Sequence, residues 1–162
     1  MEFKVKYLGF AAIGSVIAYS LYRSFKKQLS DLDYQLAAIK LGCSASAIKA
    51  VAMIESNGDG FTSTGVVKTR LESQFLARYQ AASGKAPKSF LTFASAYAYD
   101  KNSAILSTSF GEFQVMGFNY KVAGYNSPQG YYNAVKDSAV SQLNSFVGFC
   151  QANKLGQYLK DQ

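Results

Sequence analysis

The chain has 162 residues, which is enough for one domain with its own hydrophobic core. It contains no histidine and only two cysteines, Cys43 and Cys150. This composition excludes histidine-based catalytic triads, histidine-liganded zinc and a four-thiolate zinc cage. We therefore predict no metal or organic cofactor, and catalysis would depend on carboxylates, hydroxyls, lysine or a thiol. The two cysteines suit one disulfide and two buried free thiols equally well.

The net charge of +7 is unevenly distributed along the chain. Residues 1–27 hold five basic residues and one acidic residue, whereas the rest holds 12 basic and nine acidic residues. A mildly basic body suits an anionic polymer such as nucleic acid or the bacterial cell wall. Because no predicted helix carries a basic stripe, we expect no nucleic-acid partner.

Residues 7–22 read YLGFAAIGSVIAYSLY and contain no charged side chain, which is typical of a membrane-targeting segment. Tyr7 and Tyr22 lie near its ends, where aromatic side chains suit the membrane interface. Ala18 and Ser20 also have the spacing that a signal peptidase requires. A retained span, a cleaved signal peptide and a weak anchor that can leave the bilayer all remain open. We predict one membrane-spanning helix within residues 1–27, with the lipid bilayer as a partner through residues 7–22.

The first segment of the body shows an apolar repeat at helical spacing. Its members are Leu29, Leu32, Leu36 and Ile39. We predict an amphipathic helix over residues 30–41 that ends at Gly42.

Residues 47–60 are predicted to form a helix that ends abruptly. Ile48, Val51 and Ala52 recur at helical spacing, and Glu55 follows on the same stripe. Asn57 then terminates the helix, so Glu55 lies in the last turn near the negative end of the helix dipole. Apolar surroundings and this dipole both favour the protonated carboxyl that a general acid needs. A surface glutamate, or one paired with a lysine, is the alternative interpretation.

Residues 70–82 have a helical pattern, with Leu71, Phe75 and Tyr79 on one side. Glu72 falls on the same face and is the second acid with apolar neighbours. From the residues alone, a structural carboxylate that holds a loop is the preferred interpretation of Glu72.

Residues 107–125 combine many aromatic side chains with glycines and polar groups. Aromatic faces stack on sugar rings and amides bond sugar hydroxyls, so the segment is compatible with a carbohydrate site. Aromatic packing in the core is the alternative. Downstream, Ser127 and Pro128 predict a helix start, and Val140 to Cys150 predict a long core helix. With no alternating strand pattern, the body is predicted to be mainly α-helical.

Three blocks together carry a family resemblance. They are VAMIESNG at residues 51–58, Leu71-Glu72 followed by Phe75, and SFGEFQVMGFNY at residues 109–120. In this order and at these separations, they resemble the bacteriophage and bacterial N-acetylmuramidase family, a group of lysozyme-like endolysin domains. The resemblance extends over about residues 36–159.

The resemblance implies that residues 28–162 form a lysozyme-like helical domain that follows the membrane segment. It further implies cleavage of the β-1,4 bond between N-acetylmuramic acid and N-acetylglucosamine in peptidoglycan. Glu55 takes the position of the catalytic general acid, and Glu72 matches the second acidic block. The positions that would line the sugar groove are Gln114, Asn119 and Tyr120.

Several residues depart from the family pattern. Ser73 and Gln74 stand where the family usually has Arg and His, and Phe110 stands where it usually has Trp. Glu112 replaces an aliphatic residue and adds an unexpected acid near the expected groove. Asp59, close to Glu55 in the sequence, is a rival for the second carboxylate.

These features predict a membrane-anchored enzyme whose catalytic domain faces peptidoglycan. It would act as a phage lysis protein in the host inner membrane or as an entry enzyme in the membrane of a lipid-containing virion, with cellular wall remodelling as a third role. Hydrolysis and lytic transglycosylation both remain open. The alternative from another class is a non-enzymatic, membrane-anchored wall-binding or virion structural protein with a lysozyme-like fold.

Overall fold

The computed structural model describes residues 26–160. The predicted membrane segment, residues 7–22, lies outside this range. Within it, the helices are α1 (Asp31–Leu41), α2 (Ala45–Ser56), α3 (Ser73–Ala82), α4 (Phe93–Tyr99), α5 (Lys101–Leu106), α6 (Pro128–Val135) and α7 (Ala139–Ala152). The strands are β1 (Thr69–Leu71), β2 (Thr108–Phe110) and β3 (Val115–Met116), and two 3-10 helices cover Gly117–Asn119 and Leu155–Leu159.

The predicted helix ends are confirmed where local chemistry defines them. Ser30 forms a capping box at the start of α1, and Gly42 ends that helix with a φ of 66°. Asn57 ends α2 in the same left-handed conformation, with a φ of 59°. Ser127 caps α6, and its hydroxyl accepts a bond from the backbone N–H of Gly130.

The main hydrophobic core joins α1, α2 and α7. Ile48 and Ala52 of α2 are buried there, and Phe113 stacks on Phe146 with ring centroids 4.6 Å apart. Cys150 is buried in the same cluster and Cys43 packs against it, both as free thiols. This arrangement agrees with the free-thiol interpretation.

The apolar stripe of α1 does not face the core. The exposed side chains are Leu32 (57%), Leu36 (45%) and Ile39 (78%). The buried side chains of the same helix are Asp33, Tyr34, Ala37, Ala38 and Leu41. The small Ala37 and Ala38 let neighbouring helices approach, and Lys26 compensates the buried Asp33 with an ion pair at 2.6 Å. The predicted helix is present, and the described part of its apolar repeat from Leu32 to Ile39 lies on the outer face.

The small antiparallel sheet was also missed. β2 lies between β1 and β3, with Arg70 opposite Ser109 and Phe110 opposite Val115. Residues 69–71, predicted to be partly helical, form β1, and α3 begins only at Ser73. Before β1, Phe61 and Val67 form an isolated antiparallel bridge. Strands of two or three residues are too short to show an alternating pattern.

Among residues 26–160, no single helix is both long and apolar enough to cross a bilayer. The consecutive helices α1 and α2 meet that criterion only as a pair, and their axes are bent by 109°.

Candidate active site

The C-terminal end of α2 lies beside an open groove of about 480 Å³. This volume is within the range of sites for small molecules and sugars. The lining residues are Glu55, Ser56, Thr62, Val66, Val67, Lys68, Thr69 and Gln114. The groove therefore lies between the last turn of α2, the hairpin-like segment before β1, and the turn between β2 and β3.

Glu55 lines this groove but is exposed to solvent. The helical stripe of Ile48 and Ala52 is buried as predicted, and Val51 is half-buried. Glu55 extends the stripe beyond the point at which the core ends. The expectation that apolar neighbours would surround this carboxyl was therefore wrong, because the groove leaves it open to water.

Lys68 fixes the groove wall to the end of α2. Its Nζ donates a 2.8 Å hydrogen bond to the carbonyl of Ser56, the residue after Glu55. The Lys68 backbone also donates to the Gly60 carbonyl and accepts from the Gly111 N–H. A cation on the last carbonyls of a helix offsets the negative end of the dipole. The sequence around Lys68 does not distinguish it from a surface lysine, so its place in the groove could not be predicted.

Gln114 is brought into the groove together with Glu55, although 59 positions separate them in the sequence. Its backbone has a φ of 46°, an unusual value for a residue other than glycine. The Ser109 hydroxyl donates to its Oε1 at 2.7 Å, and its Nε2 donates to the Gly111 carbonyl at 2.7 Å. These bonds hold the amide in a fixed orientation on the groove wall.

Glu72 does not belong to the groove lining. Its carboxylate pairs with Arg70 at 2.8 Å and accepts a 3.2 Å bond from Gln74 Nε2. Its backbone N–H donates to the Ser107 carbonyl. These contacts join the start of α3 to the sheet, as expected for a carboxylate that holds a loop.

Asn119 and Tyr120 lie at the 3-10 turn after β3 and are both half-buried. Neither is among the residues that line the Glu55 groove. Tyr120 packs against the second hydrophobic cluster, which includes Phe110 and Tyr131. The structure therefore does not bring these two positions next to Glu55.

Glu112 occupies a second, smaller cavity of about 170 Å³. The cavity is lined by Lys27, Gln28, Leu29, Tyr34, Gly58, Asp59 and Glu112. Glu112 is only 2% exposed and accepts a hydrogen bond from the Tyr34 hydroxyl. Burial raises the pKa of Glu112 to about 7; Asp59 adds to the rise, and Tyr34 and Lys68 oppose it. The unexpected acid thus faces a different cavity from that of Glu55.

Asp59 also faces the smaller cavity, and its Oδ1 accepts a 2.8 Å bond from the Phe61 N–H. This geometry separates the rival carboxylate from the Glu55 groove. The burial that was expected at Glu55 is found instead at Glu112.

Gln142 of α7 fixes the backbone of the turn that carries Glu112. Its Oε1 accepts from the Glu112 N–H at 2.8 Å, and its Nε2 donates to the Val135 carbonyl at 2.9 Å. A Cβ at Gly60 would lie 1.9 Å from this Oε1, and one at Gly111 would lie 2.2 Å from the Gln142 Cδ. Only glycine permits this close approach.

No cluster of three or more potential metal ligands is found in the described part of the chain, residues 26–160. The polar side chains that line the groove carry a carboxylate, a lysine ammonium, an amide and hydroxyl groups.

Comparison with known proteins gives two matches and one negative result. The model of the N-acetylmuramidase family matches residues 77–162, which include Gln114, Asn119 and Tyr120 but neither Glu55 nor Glu72. The structure is similar to the crystal structure of the Burkholderia AP3 phage endolysin, with 31% sequence identity and a TM-score of 0.72. The similarity covers 83% of this chain and 60% of the endolysin chain, so this chain spans about three fifths of that relative. The comparison with curated proteins found no match.

The family match includes more than half of the chain, and the structural similarity covers a larger share of it. The mainly helical architecture is that of a lysozyme-like phage endolysin. The chain therefore belongs to the N-acetylmuramidase family of glycoside hydrolases.

Proposed function

We propose that this protein cleaves the β-1,4 bond between N-acetylmuramic acid and N-acetylglucosamine in peptidoglycan, with Glu55 as the general acid. The observation that carries the proposal is the open groove in which Glu55 lies beside the fixed amide of Gln114. A long glycan strand needs such an open site, because an enclosed cavity could admit only its ends. Membership of the N-acetylmuramidase family supports the same substrate.

The chemistry begins with binding of the sugar against the groove wall. The bound strand displaces water from around Glu55, which strengthens the hydrogen bond between its carboxyl and the glycosidic oxygen. Glu55 then gives its proton to the glycosidic oxygen as positive charge develops on the sugar ring. The amide of Gln114 bonds sugar hydroxyl or acetamido groups and fixes the position of the bond that breaks.

Among the described residues that line this groove, Glu55 is the only acidic side chain. We propose that Thr62, Thr69 and Gln114 orient the attacking water through their hydroxyl and amide groups. The Glu55 carboxylate, which has given its proton to the leaving sugar, takes up the proton that the water releases, so that the acid is restored. Glu72 would act indirectly, because its bond to Arg70 fixes β1, the strand that begins with Thr69. Asn119 and Tyr120 would contact sugar units farther along the strand.

The uncharged segment at residues 7–22 extends the proposal to location. We propose that it holds the enzyme in a bilayer, with the catalytic body facing peptidoglycan. The host inner membrane suits a lysis enzyme, and the membrane of a lipid-containing virion suits an entry enzyme.

The test compares the full-length protein with Glu55→Gln on purified peptidoglycan, with products identified by mass spectrometry. Glutamine keeps the size and polarity of the side chain and removes only its ability to donate the acidic proton. We expect reducing N-acetylmuramic acid ends from the wild type and none from the variant. Anhydro-N-acetylmuramic acid ends would mean that the protein is a lytic transglycosylase and not a hydrolase. Equal release by both proteins would remove Glu55 from the catalytic role.

A groove with a single carboxylate is also what a non-enzymatic wall-binding protein would present. The same experiment separates the two functions when binding is measured by cosedimentation with peptidoglycan. Binding by both folded proteins, without product from either one, would support the wall-binding role.

A further inference from the structure

We propose that the outward face of α1 lies on the surface of a lipid bilayer and orients the catalytic body against it. The face is defined by Leu32, Leu36 and Ile39. This inference rests on the proposed membrane anchoring by residues 7–22 and adds a second, peripheral contact to it.

The outer face of α1 is unusually apolar for a surface helix. Leu32, Leu36 and Ile39 follow one another at intervals of four and three residues and form one continuous row on the helix. All three are exposed, and the core side of the helix is apolar as well, with Tyr34, Ala37, Ala38 and Leu41 buried. A surface helix of a water-soluble body normally has a polar outer face. The row therefore needs an apolar partner outside the described body.

The described part of the chain begins beside the start of α1. The Lys26 carbonyl accepts a 2.7 Å bond from the Ala139 N–H, and Lys26 Nζ bonds Asp33 in the first turn of α1. Lys26 is thus fixed beside the start of α1. Tyr22 precedes it by four residues, which span at most about 14 Å even when fully extended. A bilayer that holds residues 7–22 must therefore lie close to the start of α1.

The length of α1 allows all three side chains of the row to contact the same bilayer. An 11-residue helix is about 16 Å long, which is similar to the distance that the four peptide units from Tyr22 to Lys26 can span. Helices that lie in the membrane interface insert an apolar face about 5–10 Å deep, the depth of one aliphatic side chain below the helix surface. Leu32, Leu36 and Ile39 provide such a face.

The charges around the row also suit a bilayer with anionic lipids. Arg23 precedes α1 in the sequence, and Lys40 lies next to Ile39 at its other end. Both acidic residues in the first turn of the helix are paired with lysine, Asp33 with Lys26 and Asp31 with Lys49. Basic residues beside an apolar face strengthen its binding to negatively charged headgroups.

Because the chain contains no tryptophan, a single introduced tryptophan reports on one position without other tryptophan emission. The full-length Leu36→Trp variant is reconstituted into vesicles that contain lipids brominated near the top of the acyl chains, which quench nearby tryptophan. The matched control is Leu91→Trp, since Leu91 is fully exposed in the loop before α4. We expect bromination to quench the emission of Leu36→Trp strongly and that of Leu91→Trp little, because only the first side chain would reach the depth of the bromine atoms. Ile39→Trp provides a second reporter if Leu36→Trp does not fold.

Three other results would overturn the inference. A blue-shifted but unquenched Trp at position 36 would mean that protein covers the row, either residues 7–22 or a second copy. A red, unquenched emission would mean that the row faces water, and equal quenching at positions 36 and 91 would mean that lipid contact is not specific to α1. Flotation of the wild type with the vesicles tests the anchoring itself. If the wild type floats and position 36 is unquenched, only this inference fails, whereas failure to float rejects the anchoring as well.

Discussion

Two carboxyl groups near the end of α2 lie in separate cavities and differ in their surroundings. Glu55 is exposed in an open groove, whereas Glu112 is buried, bonded to Tyr34 and has its pKa raised to about 7. Judged by burial alone, Glu112 would be the general acid. Judged by access to a polymer, only Glu55 is suitably placed. Under the proposed function, access to the glycosidic bond is the first requirement for the acid, and the bound substrate would supply the burial.

The largest expected effect separates these two acids by activity. Glu55→Gln should lower kcat/KM on soluble peptidoglycan fragments by about 10²- to 10⁴-fold, the usual contribution of a general acid. Glu112→Gln should retain most of its activity, because its cavity does not include the groove lining. Steady-state kinetics of both variants checks the difference. Loss of activity in a folded Glu112→Gln protein, with Glu55→Gln still active, would exchange their roles.

The next effect concerns stability and its pH dependence. Because folding raises the pKa of Glu112 from 4.5 to about 7, the native state favours the protonated carboxyl. Its stabilising contribution is complete below about pH 4.5 and is lost as the pH rises to about 7. A shift of this size corresponds to roughly 3 kcal/mol. Glu112→Gln, which keeps an acceptor for Tyr34, should therefore gain stability relative to the wild type across that range.

Urea denaturation at a series of pH values measures this difference. Asp31→Asn is a control of opposite sign, because hydrogen bonding and charge attraction from Lys49 lower the pKa of Asp31. That pair stabilises the protein above the unfolded pKa of the aspartate, and its contribution is lost as the pH falls. The variant should thus lose stability relative to the wild type as the pH rises. A pH-independent difference between the wild type and Glu112→Gln would contradict the burial of a titrating carboxyl.

Lys68 offers a smaller effect that links the two cavities. Lys68→Met removes the bond from Nζ to the Ser56 carbonyl and should lower the free energy of unfolding by about 1.5–3 kcal/mol. It also removes a positive charge that lowers the pKa of Glu112, so the transition near pH 7 should move upward. Lys121→Met, at an exposed position, is the matched control. Equal stability of the two variants would show that the bond contributes nothing measurable.

The sequence predicted those features that depend on local chemistry. Ser30, Gly42, Asn57 and Pro128 define helix ends through capping and backbone conformation, so the boundaries of α1, α2 and α6 could be predicted. The short sheet could not, because pairs such as Arg70 with Ser109 are far apart in the chain. Their pairing depends on long-range contacts rather than on a repeating pattern.

The candidate site was predicted only in part, for a related physical reason. Helical spacing located Glu55 at the end of α2 but could not tell whether the core still covered that turn. The resemblance to the family implied Glu55, Glu72, Gln114, Asn119 and Tyr120 as site residues, and of these only Glu55 and Gln114 are among the described residues that line the groove. The same spacing identified the leucine row of α1 but not the side of the helix that faces the core. Burial is a property of the whole fold, so a local pattern cannot determine it.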